Sequence, residues 1–357
     1  MTRLARFREK LAPLAGAALI TSPQNQFYLS EVAYDDGYLL ILPDAAYLLA
    51  DFRYIEAVRG AAGGDFTVLR PEGGMDGAVR ELLHKHRVDT LLLEEGHVTI
   101  GGQSRLSTRL EGVKFVSGAT RILSGLREIK DEKELAAMAA AQELTDAAFT
   151  HILGYIRKGV REIDVALELE FFMRKNGAQG LAFDTIVVSG SASSLPHGIP
   201  RDLPLENGFL TMDFGARFGG YCSDMTRTVV IGRADAEMRH LYQTVLTAQQ
   251  AALSRIGAGE LCREMDGVAR HIIEEAGYKG CFGHSLGHGV GLDIHEAPRL
   301  SPAALPEAVL HPGQVVTVEP GIYLEGKYGC RIEDMVAILP EGGVRNFTKS
   351  TKELLEL

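Results

Sequence analysis

Between Ala17 and about Val116, short apolar runs alternate with stretches of helical period, the pattern of an α/β domain of modest size. Residues 17–21, 38–42, 46–50 and 90–93 read as strands, and 54–62 and 75–86 as helices. Ahead of them the basic residues 1–10 and the apolar string L-A-P-L-A-G-A-A-L-I imitate a secretion signal. Leu4, Phe7 and Leu11 nevertheless recur at helical spacing, and Gly16 opens a strand-like A-A-L-I-T-S, so a folded helix and strand are predicted. Around 117–127 the pattern loosens into a connector. Asp131 then caps a long helix with Glu132 and Glu134 in its first turn and an Ala-rich body reaching about Tyr155. Two domains are expected, 1–123 and 124–357, joined somewhere in 118–130.

The second domain carries a faint internal repeat. I-R-K-G-V-R-E-I-D leads into A-L-E-L-E-F-F-M-R-K-N-G, and I-G-A-G-E-L-C-R-E-M-D leads into G-V-A-R-H-I-I-E-E-A-G. Gly159 and Gly177 in the first copy correspond to Gly259 and Gly277 in the second. Each copy then enters a region with a glycine-flanked histidine, His197 and His288 respectively. A duplicated half would close over a site between the two copies.

Five residues carry the chemistry: Asp213, Asp224, His288, Glu319 and Glu333. They lie in T-M-D-F-G, Y-C-S-D-M-T-R-T, G-H-S-L-G-H-G-V-G, V-E-P-G-I-Y and R-I-E-D-M, each strand-like or glycine-punctuated. A carboxylate inside an apolar run is costly to bury unless a partner or cation compensates it. Asp213 and Asp224 flank a glycine-rich stretch that reads as a hairpin turn over 216–221, which predicts that they face each other across paired strands. Four glycines in nine residues argue against a helical pair of zinc ligands at His284 and His288. His288 is therefore taken as a ligand and His284 as a neighbour behind it. An oxygen-rich donor set suits two divalent cations, Mn, Co or Zn, better than a structural zinc. Two cations about 3.5–4 Å apart can share a water or hydroxide and lower its pKa towards about 7, which is hydrolytic chemistry. His197, His295 and Arg331 are candidates for moving protons or stabilising developing negative charge.

Composition narrows the classes. At 357 residues the chain exceeds one ordinary core, and 46% hydrophobic with 24% charged residues matches a globular protein. A net charge of -10, with no basic run interleaved with aromatics, argues against a nucleic-acid binder. Cys222, Cys262, Cys281 and Cys330 show no C-x-x-C spacing, so reduced thiols in a reducing, cytoplasmic setting are expected. No segment approaches the roughly 18 apolar residues of a membrane span.

In these strings, together with F-D-T-I-V-V-S-G, S-L-P-H-G and D-F-G-A, the chain resembles the pita-bread-fold metallopeptidases, which include methionine aminopeptidase, aminopeptidase P and prolidase. The resemblance covers roughly 130–357 and favours the proline-specific branch. The D-F-R-Y string near Tyr54 is similar to the creatinase-type N-terminal domain. The resemblance implies an α+β pita-bread catalytic domain with an internal pseudo-two-fold, preceded by a smaller α/β domain. It implies that Asp224 and Glu333 bridge both cations and that Glu319 doubles as general acid/base. His197 and His295 would bind substrate, and His284 and Arg331 match further active-site positions. The implied activity is cleavage before proline in a small peptide with proline second, as an Xaa-Pro dipeptidase or, alternatively, an aminopeptidase P; a homodimer is implied too. A dipeptidase needs a cation or steric wall to hold the free carboxylate, for which Arg53, Arg331 and the 34–38 loop are candidates. Creatinase and non-catalytic proteins on this scaffold lack an intact ligand set, and this chain has one.

Overall fold

The computed structural model describes all 357 residues, in two compact units, Met1–Arg127 and Glu128–Leu357. The first begins with α1 (Arg3–Leu11), whose Leu4, Phe7 and Leu11 are buried, followed by β1 (Ala17–Ile20) and α2 (Pro23–Ser30). Then come β2 (Gly37–Ile41), β3 (Ala46–Ala50), α3 (Ile55–Ala61), β4 (Thr67–Leu69), α4 (Met75–Lys85), β5 (Thr90–Leu93), α5 (Ile100–Arg109), β6 (Lys114–Ser117) and α6 (Ala119–Glu128). The strands form one sheet in the order β4-β3-β2-β1-β5-β6, antiparallel only where β2 meets its neighbours. Alternate residues Leu19, Leu40, Leu49 and Leu91 pack with Val79, Leu82 and Leu83 of α4 and with Leu106 of α5.

Two elements depart from expectation. The stretch 117–127, read as a connector, is largely the helix α6. Its Ile122, Leu123 and Leu126 are buried, and the Tyr28 hydroxyl donates to the Leu126 carbonyl at 2.8 Å. The helix α5 also went unseen, because Gly101 and Gly102 dilute its propensity. The Thr99 hydroxyl caps it by accepting from the Gly102 amide.

The second unit opens as predicted. In α7 (Glu132–Tyr155) the Asp131 carboxylate accepts from the Glu134 amide while the Glu134 carboxylate accepts from the Asp131 amide, a reciprocal cap. There follow α8 (Glu162–Lys175), β7 (Gly180–Leu181), β8 (Ile186–Ser189), β9 (Gly208–Phe214), β10 (Ala216–Phe218), β11 (Tyr221–Cys222) and β12 (Met225–Ile231). Next are α9 (Ala236–Arg255), α10 (Cys262–Ile273), β13 (Gly287–Gly289), β14 (Glu296–Leu300), β15 (Val315–Val318), β16 (Gly321–Leu324), β17 (Tyr328–Arg331), β18 (Asp334–Ile338) and β19 (Val344–Asn346).

The internal repeat is visible as two helix pairs, each packed on antiparallel strands. Phe149 and Ile152 of α7 with Leu169 and Met173 of α8 pack on Val187, Leu210 and Met212. Leu241 and Val245 of α9 with Met265 and Ala269 of α10 pack on Val316, Val318 and Val336. Corresponding glycines share left-handed geometry: φ is 88° at Gly159 and 87° at Gly259, 110° at Gly177 and 93° at Gly277. Along β9 the side chains alternate, Leu210, Met212 and Phe214 entering the first core and Phe209 the second. By that period Thr211 and Asp213 share the face of Phe209. No helix is long and apolar enough to cross a membrane.

Candidate metal centre

The hairpin carrying Asp213 and Asp224 turns at Gly219 and Gly220, with φ of 57° and 84°, where only glycine is unstrained at both positions. Its register opposes Asp213 to Thr226, not to Asp224. The expected direct pairing is therefore corrected: the turn is centred one residue later than the sequence suggested. Asp224 lies two residues closer to the turn, and a shift of two keeps both carboxylates on one face. Val318 pairs with Asp334 and Gly321 with Arg331, so Glu319 and Glu333 hold corresponding positions in the gap between two paired stretches; there the Glu319 amide donates to the Leu286 carbonyl and the Glu333 amide to the Thr226 carbonyl.

His288 enters from β13. Its main chain follows the register beside Thr317, whose hydroxyl accepts from the His288 amide (3.1 Å) and donates to Glu319 Oε1 (3.1 Å). His288 Nδ1 lies 3.0 Å from the Gly289 carbonyl, which leaves Nε2 to face the acids: 3.5 Å from Asp224 Oδ2 and 3.3 Å from Glu319 Oε1. Asp224, His288 and Glu333 bring donor atoms within 4.8 Å of one another. The Thr226 hydroxyl donates to Glu333 Oε2 at 2.7 Å. Asp213 Oδ2 accepts from Arg331 Nη2 at 2.6 Å, while its buried Oδ1 has no hydrogen-bond partner.

Such an arrangement is electrostatically incomplete by itself. Burial pushes the Asp224 carboxyl well above its ordinary range, and the neighbouring Glu333, Asp213 and Glu319 push it further. Burial, then Glu319 and Asp213, raise Glu333 in the same way. Burial lifts Glu319 to about 8, against an opposing pull from Arg331. Burial lowers His288 to about 4, so it is a neutral imidazole near pH 7. Crowded carboxylates, a neutral imidazole with its Nε2 facing them and an orphaned buried oxygen are what a hard cation satisfies. The donor set fits divalent metal ions.

All nine site residues expected from sequence line one cavity of about 360 Å³: Asp213, Asp224, His288, Glu319 and Glu333 with His197, His284, His295 and Arg331. His295 stacks edge-on against His288 with centroids 4.4 Å apart. His284 Nδ1 is 3.8 Å from Glu319 Oε2 and its Nε2 3.0 Å from the Tyr323 hydroxyl. Burial lowers His284 to about 4, with Arg331 adding to the effect. Arg331 is buried and donates to four acceptors, Asp213, Tyr323, Thr226 and the Pro196 carbonyl. Arg53 lies in the first unit, paired with Asp36 and Asp51.

Residues 136–340 match metallopeptidase family M24, and residues 3–129 match the creatinase/prolidase N-terminal domain. The chain belongs to metallopeptidase family M24. An Xaa-Pro dipeptidase of Pyrococcus horikoshii is 43% identical over 348 residues, 95% of this chain and 94% of that protein. The structure of an Xaa-Pro dipeptidase from Bacillus anthracis superposes with a TM-score of 0.94 at 39% identity, covering 99% of both chains. That of an X-Pro aminopeptidase from Thermotoga maritima gives 0.91 at 36% identity, covering 98% of this chain and 99% of that one. The pita-bread fold and creatinase-type first domain expected from sequence are thus borne out. This M24 chain is an enzyme, a metallopeptidase.

Several groups around the centre of this M24 peptidase escaped the sequence reading. Thr226 and Thr317 each lie two residues from a candidate ligand, a spacing that puts a hydroxyl on the ligand's face of the strand. That signal was available. Phe183, Ile294 and Arg299 gave none, because only folding brings them to the cavity, and neither did Tyr323, whose hydroxyl only folding brings to His284 and Arg331.

Proposed function

We propose that this metallopeptidase is an Xaa-Pro dipeptidase, with cleavage of longer Xaa-Pro peptides as the competing activity. Asp213, Asp224, His288, Glu319 and Glu333 would hold two divalent cations, Mn, Co or Zn, with Asp224 and Glu333 shared between them. Cations there would supply a Lewis acid and an acidified water. Glu319, raised by burial, is suited to accept and return a proton near its carboxylate, and the cations' charge would draw its pKa down towards the working range. Exposed His197 and His295 face the open part of the cavity, where a peptide carbonyl would lie. The bond before proline lacks an N–H, so recognition must rest on ring shape and on charge. Phe183, Ile186 and Ile294 offer apolar wall for the pyrrolidine ring.

The observation that favours a dipeptide is Arg299. It lines the same cavity from β14, its charge acts on Glu319, His288 and His295, and no ion pair engages its guanidinium. Arg331 is buried and already holds four acceptors, which makes the exposed Arg299 the better cation to meet the free carboxylate beyond proline. The P. horikoshii and B. anthracis relatives named Xaa-Pro dipeptidases support the same reading. Arg299→Met is expected to reduce kcat/KM for Leu-Pro by about 10- to 100-fold, the loss of a charged hydrogen bond, while Leu-Pro-Gly changes little. Preference of the parent enzyme for the tripeptide would reassign it as an aminopeptidase. A homodimer in a reducing, cytoplasmic setting belongs to the same proposal; the four free cysteines support the reducing setting.

A further inference from the structure

One buried arginine ties together the backbones that carry Thr226 and Glu333. Arg227 is 1% exposed and the bulkiest of the fully buried side chains. Its Nη1 donates to the Thr226 carbonyl at 2.9 Å and the Glu333 carbonyl at 2.6 Å. Its Nη2 donates to Asp334 Oδ1 at 2.8 Å and the Ser350 carbonyl at 2.9 Å, and its Nε to the Thr351 carbonyl at 3.0 Å. Every donor of the guanidinium fork is therefore used. Asp334 also accepts from Lys352 Nζ and Asn346 Nδ2, each at 2.7 Å. Lys352 Nζ donates in addition to Gln249 Oε1 at 3.0 Å, and the Asp146 carboxylate holds the Ser350 amide at 2.9 Å.

Burying an arginine–aspartate pair gains little stability over apolar residues of the same shape. An apolar pair, however, cannot join carbonyls from three separate stretches, 226, 333 and 350–351. A rigid planar fork can, and it fixes their spacing. Those first two carbonyls belong to the residue that donates to Glu333 Oε2 and to Glu333 itself. Arg227 does not line the metal cavity.

We propose that Arg227, braced by Asp334, Lys352 and the 350–352 segment, is a positioning residue for the metal centre. It sets the separation of β12 from the Glu333 turn and so aims Glu333 at the cations. The inference rests on the metal-site reading given above.

The test is Co(II) binding to metal-free parent, Arg227→Lys and Lys352→Met proteins. Affinity is read by competition with a chelating dye, and geometry by the visible absorption of the cobalt-loaded form. Lysine keeps the charge beside Asp334 but cannot reproduce the fork. Arg227→Lys is expected to weaken cobalt binding about 10- to 100-fold, the usual effect of losing support behind a ligand, and to shift the visible bands. Lys352→Met should shift both in the same direction by less. A purely structural role would lower the melting temperature and leave affinity and bands unchanged, which overturns the proposal. If Arg227→Lys does not fold, unchanged affinity and bands in Lys352→Met overturn it instead. A parent protein that binds no cobalt would overturn the metal-site reading, and this inference with it.

Discussion

Asp224→Asn is expected to lose hydrolysis by more than about 100-fold while the metal-free protein remains as stable as the parent, or becomes more stable. Residues that merely support a ligand account for about 10- to 100-fold in metal affinity or activity, so losing a residue proposed to be shared by two cations is expected to exceed that. The second half of the expectation separates a metal site from a structural cluster. Asp224 is buried among Glu333, Asp213 and Glu319, which makes its ionised form costly in the absence of a cation. Asparagine keeps the shape and removes the charge, so no cavity confuses the comparison. Thermal melts of both proteins after metal stripping, alongside Leu-Pro hydrolysis after Mn is restored, measure both halves. Retained hydrolysis would sink the two-metal assignment. A collapse in the metal-free melting temperature would show that Asp224 serves the fold instead.

The stabilisation conferred by Mn is expected to grow steeply as pH rises from about 4.5 to about 8. Glu319 has a folded pKa raised from 4.5 to about 8, and Asp224 and Glu333 are raised too. A raised carboxyl contributes its stability below the unfolded value and loses it as pH climbs through the folded one. His284 and His288 are lowered from 6.5 to about 4, so their contribution is complete above about 6.5 and lost as pH falls towards 4. The two effects oppose each other at acid pH. Above about 6.5 only the carboxyls still titrate, so the metal-free enzyme should soften between there and about 8. Cations bind the deprotonated donors, so their benefit rises over the whole interval. At a thousand times the dissociation constant the gain is about 4 kcal/mol, or roughly 8–16 °C in melting temperature for a domain of this size. Melts with and without Mn at pH 5, 6.5 and 8 check this. A pH-independent metal effect would mean that these carboxyls are not the ligands.

The candidate site was legible because its ligands must be expensive residues in cheap surroundings. An acid inside M-D-F or R-I-E-D is conspicuous, since an apolar strand does not bury a carboxylate without compensation. Glycines at 219 and 220 marked the hairpin, and Asp131 with Glu134 marked the start of α7; both are local signals, complete within a few residues. The internal repeat was legible too, since each Gly159-type position requires a backbone geometry that few other residues tolerate.

What sequence alone determined, then, was the identity of the ligand candidates, the two-part organisation and the fold family, each written in short-range pattern. Tertiary structure decided the rest. It placed Asp213 opposite Thr226, because strand register depends on where a turn centres, and one residue of error shifts every partner by two. It made a helix of 119–128, where a buried apolar face outweighed weak local propensity. It brought Arg299 to the cavity, set the Tyr323 hydroxyl against His284 and Arg331, and buried Arg227. Such long side chains read as ordinary surface or strand residues in the sequence. Their roles come from partners far along the chain, and only the folded state supplies those.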